Sequence, residues 1–300
     1  MDRLKIGAVS RNYFNMPLWG MHHGGFLRDE GIEADIHLIE SIDEVSDRLA
    51  SHDLDLALSV TENVILEREQ GGDLVILGGN VNRLPFSFVA RPGIGSIADL
   101  KGKRIGVSSK AAGSSSLIMR ILDGHGLRYP DDYTLVDCGP ILKRWEMLQS
   151  GEIDAGLQGV PLNHIALDAG YVDLGNPREA FPDFQFTSLN ASRAWIEEHD
   201  NLLHRALRAF LRAHEWFYTD KAATIDVARK ETGISADYAA RAWDEYVEGE
   251  IFPRDGTASF AAVQTLIEVS GLIRALPKRQ ATGAAHYIDH SYLEAARVTL

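Results

Sequence analysis

Short apolar runs alternate with amphipathic stretches along the first 190 residues of the chain. Residues 4–9 (LKIGAV) form an apolar-rich run, which is typical of a strand buried in a parallel sheet. Residues 41–50 instead place Ile42, Val45 and Leu49 on one helical face. Strand and helix patterns continue to alternate in this way, which predicts an open α/β sheet with helices on both faces.

The pattern becomes helical after residue 195. The first helix predicted there is long, and its apolar face comprises Leu202, Leu203, Ala206, Leu207, Phe210 and Leu211. The helices expected after it span residues 221–231, 236–247 and 259–274. Before this helical part, residues 89–190 repeat the order of elements of residues 1–88 without obvious sequence identity.

One stretch combines a strand, a polar loop and the start of a helix. Residues 104–107 are predicted to form the strand and residues 108–112 the loop, and the helix opens at Gly113-Ser114-Ser115-Ser116. Unpaired N–H groups and the positive end of the helix dipole converge at such a helix start, so it is suited to bind an anion. Ser114 or Ser115 suits a simple N-cap equally well. The residues alone leave both interpretations open.

Composition narrows the classes of function. The chain has 300 residues, which suggests about two domains. Its net charge of -13 argues against a surface for nucleic acid or for an anionic membrane, because both require basic patches. The single cysteine, Cys138, excludes an internal disulfide, and no apolar run approaches the roughly 18 residues of a membrane-spanning helix. We therefore expect neither a nucleic-acid partner nor insertion into a membrane.

The start of the chain bears on its location. The residues MDRLKIGAVS lack the basic and apolar regions of a signal peptide, so we expect a cytoplasmic protein. A periplasmic protein whose leader has been removed would show the same sequence, and that location stays open.

Metal and nucleotide chemistry find little support in the sequence. His22 and His23 are adjacent, so they cannot form a metal-binding pair one helical turn apart, and nothing nearby completes a zinc site. The serines that follow Gly113 lack the G-x-S-x-G pattern of a nucleophile. Neither a P-loop nor a G-x-G-x-x-G fingerprint is present. We expect no metal and no cofactor.

Several motifs match one family in their order and spacing. Those in the second half of the α/β region are SIADLKGKRIGVSS (96–109), GSSSLIMRILDGHGL (113–127) and SGEIDAGLQGVP (150–161). Those elsewhere are GMHHGGFLRDEGIEADI (20–36), SHDLDLALSVTENVILEREQGG (51–72) and HYIDHSYLEAA (286–296). Together they resemble the substrate-binding proteins of ABC transporters for nitrate, sulfonate and taurine, the NMT1/THI5-like type, over nearly the whole chain.

The resemblance implies an α/β, type II periplasmic-binding-protein-like fold with two lobes joined by two crossover strands. Residues 86–90 and 184–190 are the expected crossovers. Lobe one would then contain residues 1–88 and 191–300, and lobe two residues 89–190. The family binds its ligand in the cleft between the lobes, outside the carboxyl ends of strands.

The first loop at the family's ligand-contacting positions supplies five candidates, Ser10, Arg11, Tyr13, Phe14 and Trp19. The guanidinium of Arg11 is suited to a bidentate contact with a carboxylate or sulfonate. The aromatic rings are suited to stacking on a flat ligand, although filling of the core is the favoured interpretation for Trp19.

The second loop supplies Ser59 and Thr61, whose hydroxyls lie at the start of the next helix. Glu62 departs from the small residues that the family tends to show here. Its carboxylate would repel an anion if it pointed inward, or it is an ordinary first-turn acid that the helix dipole stabilises.

The third loop supplies Ser108, Gly113, Ser114 and Ser115. The fourth supplies Gln158, whose amide is suited to the polar edge of a ligand. Weaker candidates near the hinge are Asn80, Asn82 and Arg83, whereas Trp145 is expected in the core.

Two classes of function follow from the resemblance. The favoured one is a binding protein that closes on a small polar or anionic ligand, such as a sulfonate, a carboxylate or a pyrimidine-like molecule, and delivers it to an ABC permease. The alternative is a cytoplasmic enzyme on the same fold, namely a decarboxylase, a desulfinase or a pyrimidine-synthase-like lyase. The cysteine motifs of the desulfinase and the synthase are not matched, because Cys138 lies elsewhere. In that alternative His22, His23 and His52 are candidate general bases.

Overall fold

The alternating part of the chain builds two separate five-stranded sheets. The computed structural model describes residues 1–110, 114–270 and 282–300. The strands are β1 (Asp2–Val9), β2 (Ile32–Ile39), β3 (Leu56–Val60), β4 (Leu74–Val81), β5 (Phe86–Ala90), β6 (Arg104–Val107), β7 (Thr134–Asp137), β8 (Ala155–Gly159), β9 (Val172–Asp173) and β10 (Thr187–Ser192). The helices are α1 (Met16–His23), α2 (Phe26–Asp29), α3 (Ile42–Ala50), α4 (Thr61–Glu69), α5 (Ser114–Gly124), α6 (Ile141–Ser150), α7 (Leu162–Asp168), α8 (Pro177–Ala180), α9 (Arg193–Thr219), α10 (Lys221–Thr232), α11 (Ala236–Glu248), α12 (Phe260–Ser270) and α13 (Ser291–Val298).

The described residues divide into two compact units. The first unit comprises Met1–Arg83, Asp183–Leu266 and residues 282–300. The second comprises Leu84–Pro182 and residues 267–270. The boundaries predicted after residues 88 and 190 fall a few residues later than this division.

The first unit contains the sheet β2-β1-β3-β10-β4. β1 pairs in parallel with both β2 and β3, as its buried apolar run predicts, and β10 runs antiparallel between β3 and β4. The strand predicted at residues 184–190 is therefore shifted to Thr187–Ser192, and it hydrogen-bonds within this sheet. Residues 187–190, predicted in lobe two, accordingly pair with strands of the first unit.

The second unit contains the sheet β7-β6-β8-β5-β9. β6 lies parallel to β7 and β8, whereas β5 runs antiparallel to β8 and to β9. In this register Gly106 of β6 lies beside Gly156 of β8. Because β6 and β8 run in the same direction, Val107 and Gly159 end at the same edge of the sheet.

The C-terminal part of the first unit is helical, as predicted. α9 is 27 residues long, and its backbone leaves helical geometry at His199 (φ -131°, ψ 27°). The predicted apolar face of α9 is buried except for Leu202, which is half-buried. Among the described residues, no helix is both long and apolar enough to cross a membrane.

Candidate functional site

The carboxyl-end edge of the second sheet gathers the predicted residues of the third and fourth loops. Ser108 follows β6 directly, Gln158 lies near the end of β8, and Ser114 begins α5. Ligands of open α/β sheets bind outside the carboxyl ends of strands, so this edge is the candidate site of the second unit. Gly113, the remaining prediction in this loop, lies outside the described residues.

Ser108 and Ser114 hold the loop to the helix through reciprocal hydrogen bonds. The backbone N–H of Ser108 donates to Ser114 Oγ at 2.8 Å, and the backbone N–H of Ser114 donates to Ser108 Oγ at 3.3 Å. The two hydroxyl oxygens are 3.0 Å apart. Ser115 is fully buried in the next position, where its hydroxyl donates to the carbonyl of Lys110 at 3.4 Å. The serine hydroxyls therefore hold residues 108 and 110 to the first turn of α5.

Gln158 is fully buried, and its side-chain nitrogen and oxygen both lack a hydrogen-bond partner among the described residues. A buried amide without partners costs free energy, so native proteins rarely leave one unsatisfied. Its orientation follows from β8, because residues two apart along a strand share a face. Gln158 thus lies on the same face of the sheet as Gly156.

Arg144 of α6 is a further residue at this edge, which the sequence interpretation missed. It is only 2% exposed, and its Nη1 donates to Ser114 Oγ at 3.5 Å. Its Nε has no hydrogen-bond partner among the described residues. Burial lowers the pKa of this guanidinium to about 10, so the group stays charged at neutral pH. The sequence did contain a signal that a side chain packs against this sheet. Gly106 and Gly156 interrupt two buried strands, and a glycine within a strand often marks a place where another group approaches the backbone closely.

Cys138 lies beside the same strands but offers no reactive thiol. It is buried, and its Sγ donates to the carbonyl of Val136 at 3.3 Å. Burial raises the pKa of the thiol, which disfavours the nucleophilic thiolate. Trp145, on the neighbouring position of α6 to Arg144, packs in the apolar core of this unit as expected.

In the first unit, the predicted cation Arg11 is already engaged. Its guanidinium donates to the carboxylate of Glu231 at the end of α10, and to the Glu231 carbonyl at 3.2 Å. It also lies 5.6 Å from the ring centroid of Trp19. Glu231 in turn contacts His23 Nε2 at 2.5 Å. Ser10, the neighbouring candidate, adopts a left-handed backbone (φ 51°) and donates to Glu40 at 2.6 Å.

The aromatic candidates of the first loop are all buried. The rings of Tyr13 and Tyr246 lie 5.0 Å apart, and Phe14 meets Phe186 edge to face at 5.5 Å. Burial raises the pKa of the Tyr13 hydroxyl, which keeps it neutral. The position of Trp19, 2% exposed, agrees with the favoured interpretation that it fills the core.

The second-loop candidates serve the first sheet. Thr61 donates its hydroxyl proton to Ser188 at 3.0 Å, and Ser59 accepts from the side-chain amide of Asn190 at 3.0 Å. Both partners lie on β10. Glu62 is buried in the first turn of α4, next to Thr61.

The weaker candidates are also occupied by contacts within the first unit. Asn80 donates to the carbonyl of Phe14 at 3.0 Å, Asn82 to the carbonyl of Thr257 at 2.9 Å, and Arg83 to the carbonyl of Gly249 at 3.0 Å. Two surface cavities of about 340 Å³ each lie in this unit and share Arg254 and Asp255. None of the residues predicted from the four loops and described by the structure lines either cavity, although Asn82 and Arg83 line one of them.

Among the described residues, no cluster of three or more histidine, cysteine or acidic side chains is arranged to hold a metal ion. Burial lowers the pKa of His22, and His52 Nε2 lies 3.0 Å from the hydroxyl of Ser192. The Ser192 hydroxyl itself donates to Asp73 at 2.7 Å, so it is not poised for deprotonation by His52.

Sequence comparison finds relatives among binding proteins. YtlA of Bacillus subtilis, described as a binding protein, is 23% identical over 245 residues, which are 77% of this chain and 71% of YtlA. The formylaminopyrimidine-binding protein of Halalkalibacterium halodurans is 26% identical over 212 residues. This second match covers 68% of the chain and 62% of that relative, which is less than two thirds of its length.

Structural comparison confirms the predicted fold class. The alkanesulfonate-binding protein SsuA of Xanthomonas axonopodis pv. citri, solved with bound MOPS, superposes with a TM-score of 0.77 at 18% identity. The superposition covers 96% of this chain and 98% of SsuA. The chain therefore has the α/β fold of the two-lobed periplasmic solute-binding proteins. The family described as NMT1/THI5 like matches residues 16–223, and this chain belongs to that family.

Proposed function

We propose that this protein is the solute-binding component of an ABC-type importer and that its ligand is a small molecule with an anionic or strongly polar group. In this role the protein works outside the cytoplasmic membrane and hands its ligand to a permease. The alkanesulfonate-binding and formylaminopyrimidine-binding relatives support a ligand of this size and polarity.

The observation that carries the proposal is the buried amide of Gln158. Its donor and acceptor lack partners among the described residues, yet they lie on the sheet edge where the Ser108–Ser114 pair begins α5. A polar ligand placed at this edge would satisfy the amide and recover the free energy that its burial costs. Binding sites combine this kind of preformed polar group with an apolar surround.

The enzyme alternative has no comparable support at this edge. Cys138 donates its thiol hydrogen to a backbone carbonyl, and burial raises the thiol pKa. The site thus offers groups that hold a ligand, and its buried thiol is unsuited to attack one.

Titration calorimetry with a panel of ligands tests the proposal. The panel contains alkanesulfonates, carboxylates, nitrate and formylaminopyrimidine, and we expect saturable binding of at least one compound with one site per chain. Mass spectrometry of the recovered ligand should show it chemically unchanged. Conversion of a panel member, or the absence of saturable binding across the panel, would contradict the proposal.

A matched pair of variants locates the site. Gln158→Leu removes the buried amide at similar volume, whereas Gln149→Leu makes the same change at an exposed position of α6. Loss of the amide should weaken binding of the compound found by about three- to tenfold, the effect of one neutral hydrogen bond. Equal affinities of the two variants would place the ligand elsewhere.

A further inference from the structure

Arg144 is a cation enclosed in the second unit, and it has no acidic partner in the part of the chain that the structure describes. The side chain is 2% exposed, and its one hydrogen bond among the described residues goes to the neutral hydroxyl of Ser114, at 3.5 Å. No aspartate or glutamate of the described residues pairs with it, in contrast to Arg104 of the same unit, which pairs with Asp154 at 2.8 Å. Buried charges are ordinarily paired, because an isolated one is costly to remove from water.

The backbone around Arg144 is shaped to accept its side chain. A methyl group on Gly156 would lie 3.1 Å from Arg144 Cδ, and one on Gly106 would lie 3.3 Å from Arg144 Cγ. These glycines are neighbours on β6 and β8, so together they form a flat floor under the aliphatic stem. The floor directs the guanidinium along the strands toward Ser114, at the edge that also carries Gln158.

Packing alone does not account for this arrangement. An apolar side chain of similar length would fill the same slot without the cost of burying a charge, and such replacements are often neutral or stabilising. The hydrogen bond to Ser114 is long and offers little compensation. The positive end of the α5 dipole lies at the same place and disfavours a cation there, so both features call for a negative charge.

We infer that Arg144 supplies the fixed positive charge of an oxyanion site formed with the N-terminus of α5 and Gln158, and that the ligand carries a sulfonate, carboxylate or similar group. The inference rests on the proposed function only in placing the ligand at this edge. Arg144 supplies the positive charge, the positive end of the α5 dipole lies at the same place, and the Gln158 amide supplies a hydrogen-bond donor. The anion supplies the charged partner that Arg144 lacks among the described residues.

Inorganic sulfate is the probe, because its binding does not depend on the identity of the transported solute. Thermal unfolding is followed as sulfate replaces chloride at constant ionic strength, for the intact chain and for three variants. Arg144→Met keeps an unbranched apolar stem and removes the charged guanidinium. Arg144→Lys keeps the charge without the planar fork, and Arg120→Met removes a charge from an exposed position of α5 as the matched control.

We expect sulfate to stabilise the intact chain and Arg120→Met equally, with a saturating dependence. In Arg144→Met the dissociation constant should rise by about ten- to a hundredfold, the effect of a hydrogen bond to a charged group, and Arg144→Lys should recover part of the loss. Without sulfate, Arg144→Met should unfold at the same or a higher temperature, because an uncompensated buried charge is gone. A purely structural arginine predicts the opposite result, a lower unfolding temperature with unchanged sulfate affinity.

The result separates this inference from the proposed function. Failure of the whole solute panel together with sulfate binding that depends on Arg144 would overturn the transport role and leave the oxyanion site standing. Binding of a panel member with the same affinity in Arg144→Met would overturn the oxyanion site and leave the transport role. Absence of any sulfate effect on the intact chain would also overturn the site.

Discussion

At the scale of single residues, the absence of a side chain at Gly106 is a structural requirement. A methyl group there would overlap Ile153 Cδ1 and would lie 2.9 Å from Cys138 Sγ and 3.3 Å from Arg144 Cγ, closer than ordinary van der Waals contact. We expect Gly106→Ala to destabilise the protein by about 1–3 kcal/mol, the usual cost of overpacking a core. Denaturant unfolding measures this, with Gly124→Ala as the control, since no atom of the described residues lies within 4 Å of a methyl group at that position. Equal stability of the two variants would show that the side chains packed on Gly106 make room for a methyl group without cost.

A second residue-scale effect concerns the acid stability of the first unit. His214 of α9 is fully buried, its Nδ1–H donates to the carbonyl of Pro253 at 2.7 Å, and burial lowers the pKa of the imidazole from 6.5 to about 4. Between these pH values the imidazole of His214 is protonated in the unfolded chain but stays neutral in the folded protein. The contribution of the neutral histidine is therefore complete above pH 6.5 and is lost as pH falls toward 4.

The expected loss is on the order of 3 kcal/mol across that pH range, since each pKa unit corresponds to about 1.4 kcal/mol. His214→Asn keeps a donor near the position of Nδ1 but does not titrate, so its stability should depend less on pH than that of the intact chain. His125→Asn, at an exposed position, is the control. The same acid dependence in His214→Asn as in the intact chain would assign the effect to other groups.

The sequence predicted candidate residues at the carboxyl-end edge of the second sheet, but it did not predict the positive charge of Arg144 there. Ser108 and Ser114 were predicted because a strand, a loop and a helix start follow one another in sequence, and Gln158 because the family resemblance places a ligand-contacting loop at the end of its strand. Arg144 lies 30 residues after Ser114, and nothing in its own helix distinguishes it from a solvated arginine. The space for the Arg144 side chain arises only because Gly106 and Gly156, which have no side chains, are neighbours on paired strands. Arg11, the cation that the sequence favoured, is instead paired with Glu231 from a distant helix.

At the scale of elements, Glu231 fastens the end of α10 to the first loop. Its carboxylate accepts from Arg11 and contacts His23 at the end of α1. We expect Glu231→Gln to speed amide exchange in the last turn of α10 and to lower the free energy of unfolding by about 1 kcal/mol or less, because Arg11 is half exposed. Hydrogen exchange followed by mass spectrometry measures this, with Glu198→Gln on α9 as control. Unchanged exchange in α10 would contradict the fastening role.

Elements with strong periodic patterns could be predicted closely, and those defined by pairing could not. The helices expected at residues 221–231 and 236–247 occur as Lys221–Thr232 and Ala236–Glu248 because their apolar spacing needs no distant partner. β10 begins three residues later than expected, at Thr187. Phe184 and Phe186 extend the apolar run, but ladder pairing begins only where β3 and β4 flank the chain. Such pairing depends on residues more than a hundred positions away.

At the scale of the whole molecule, the net charge of -13 opposes the charge of an anionic ligand. Surface charges act over distances that salt screens, whereas a buried charge such as Arg144 is screened much less. We therefore expect the association rate of an anion from the panel to rise as salt is raised from low concentration. This is the opposite of the salt dependence seen when the protein's charge attracts its ligand. Stopped-flow tryptophan fluorescence measures the rate, and a neutral panel compound is the control. A rate that falls with salt would show that a local positive field dominates the approach.

Because Gly106 and Gly156 leave a slot for the Arg144 side chain, a small molecule added from solution could replace that side chain in a truncated variant. Shortening Arg144 to alanine would empty a slot whose walls fit a three-carbon stem and whose end fits a guanidinium. Free ethylguanidinium is the size of the missing part, so it should enter the slot and restore some of the sulfate affinity that Arg144→Ala loses. Ethylammonium carries the same charge without the planar fork and should restore less. The protein would then act as a receptor in which a cation added from solution switches the capture of an anion.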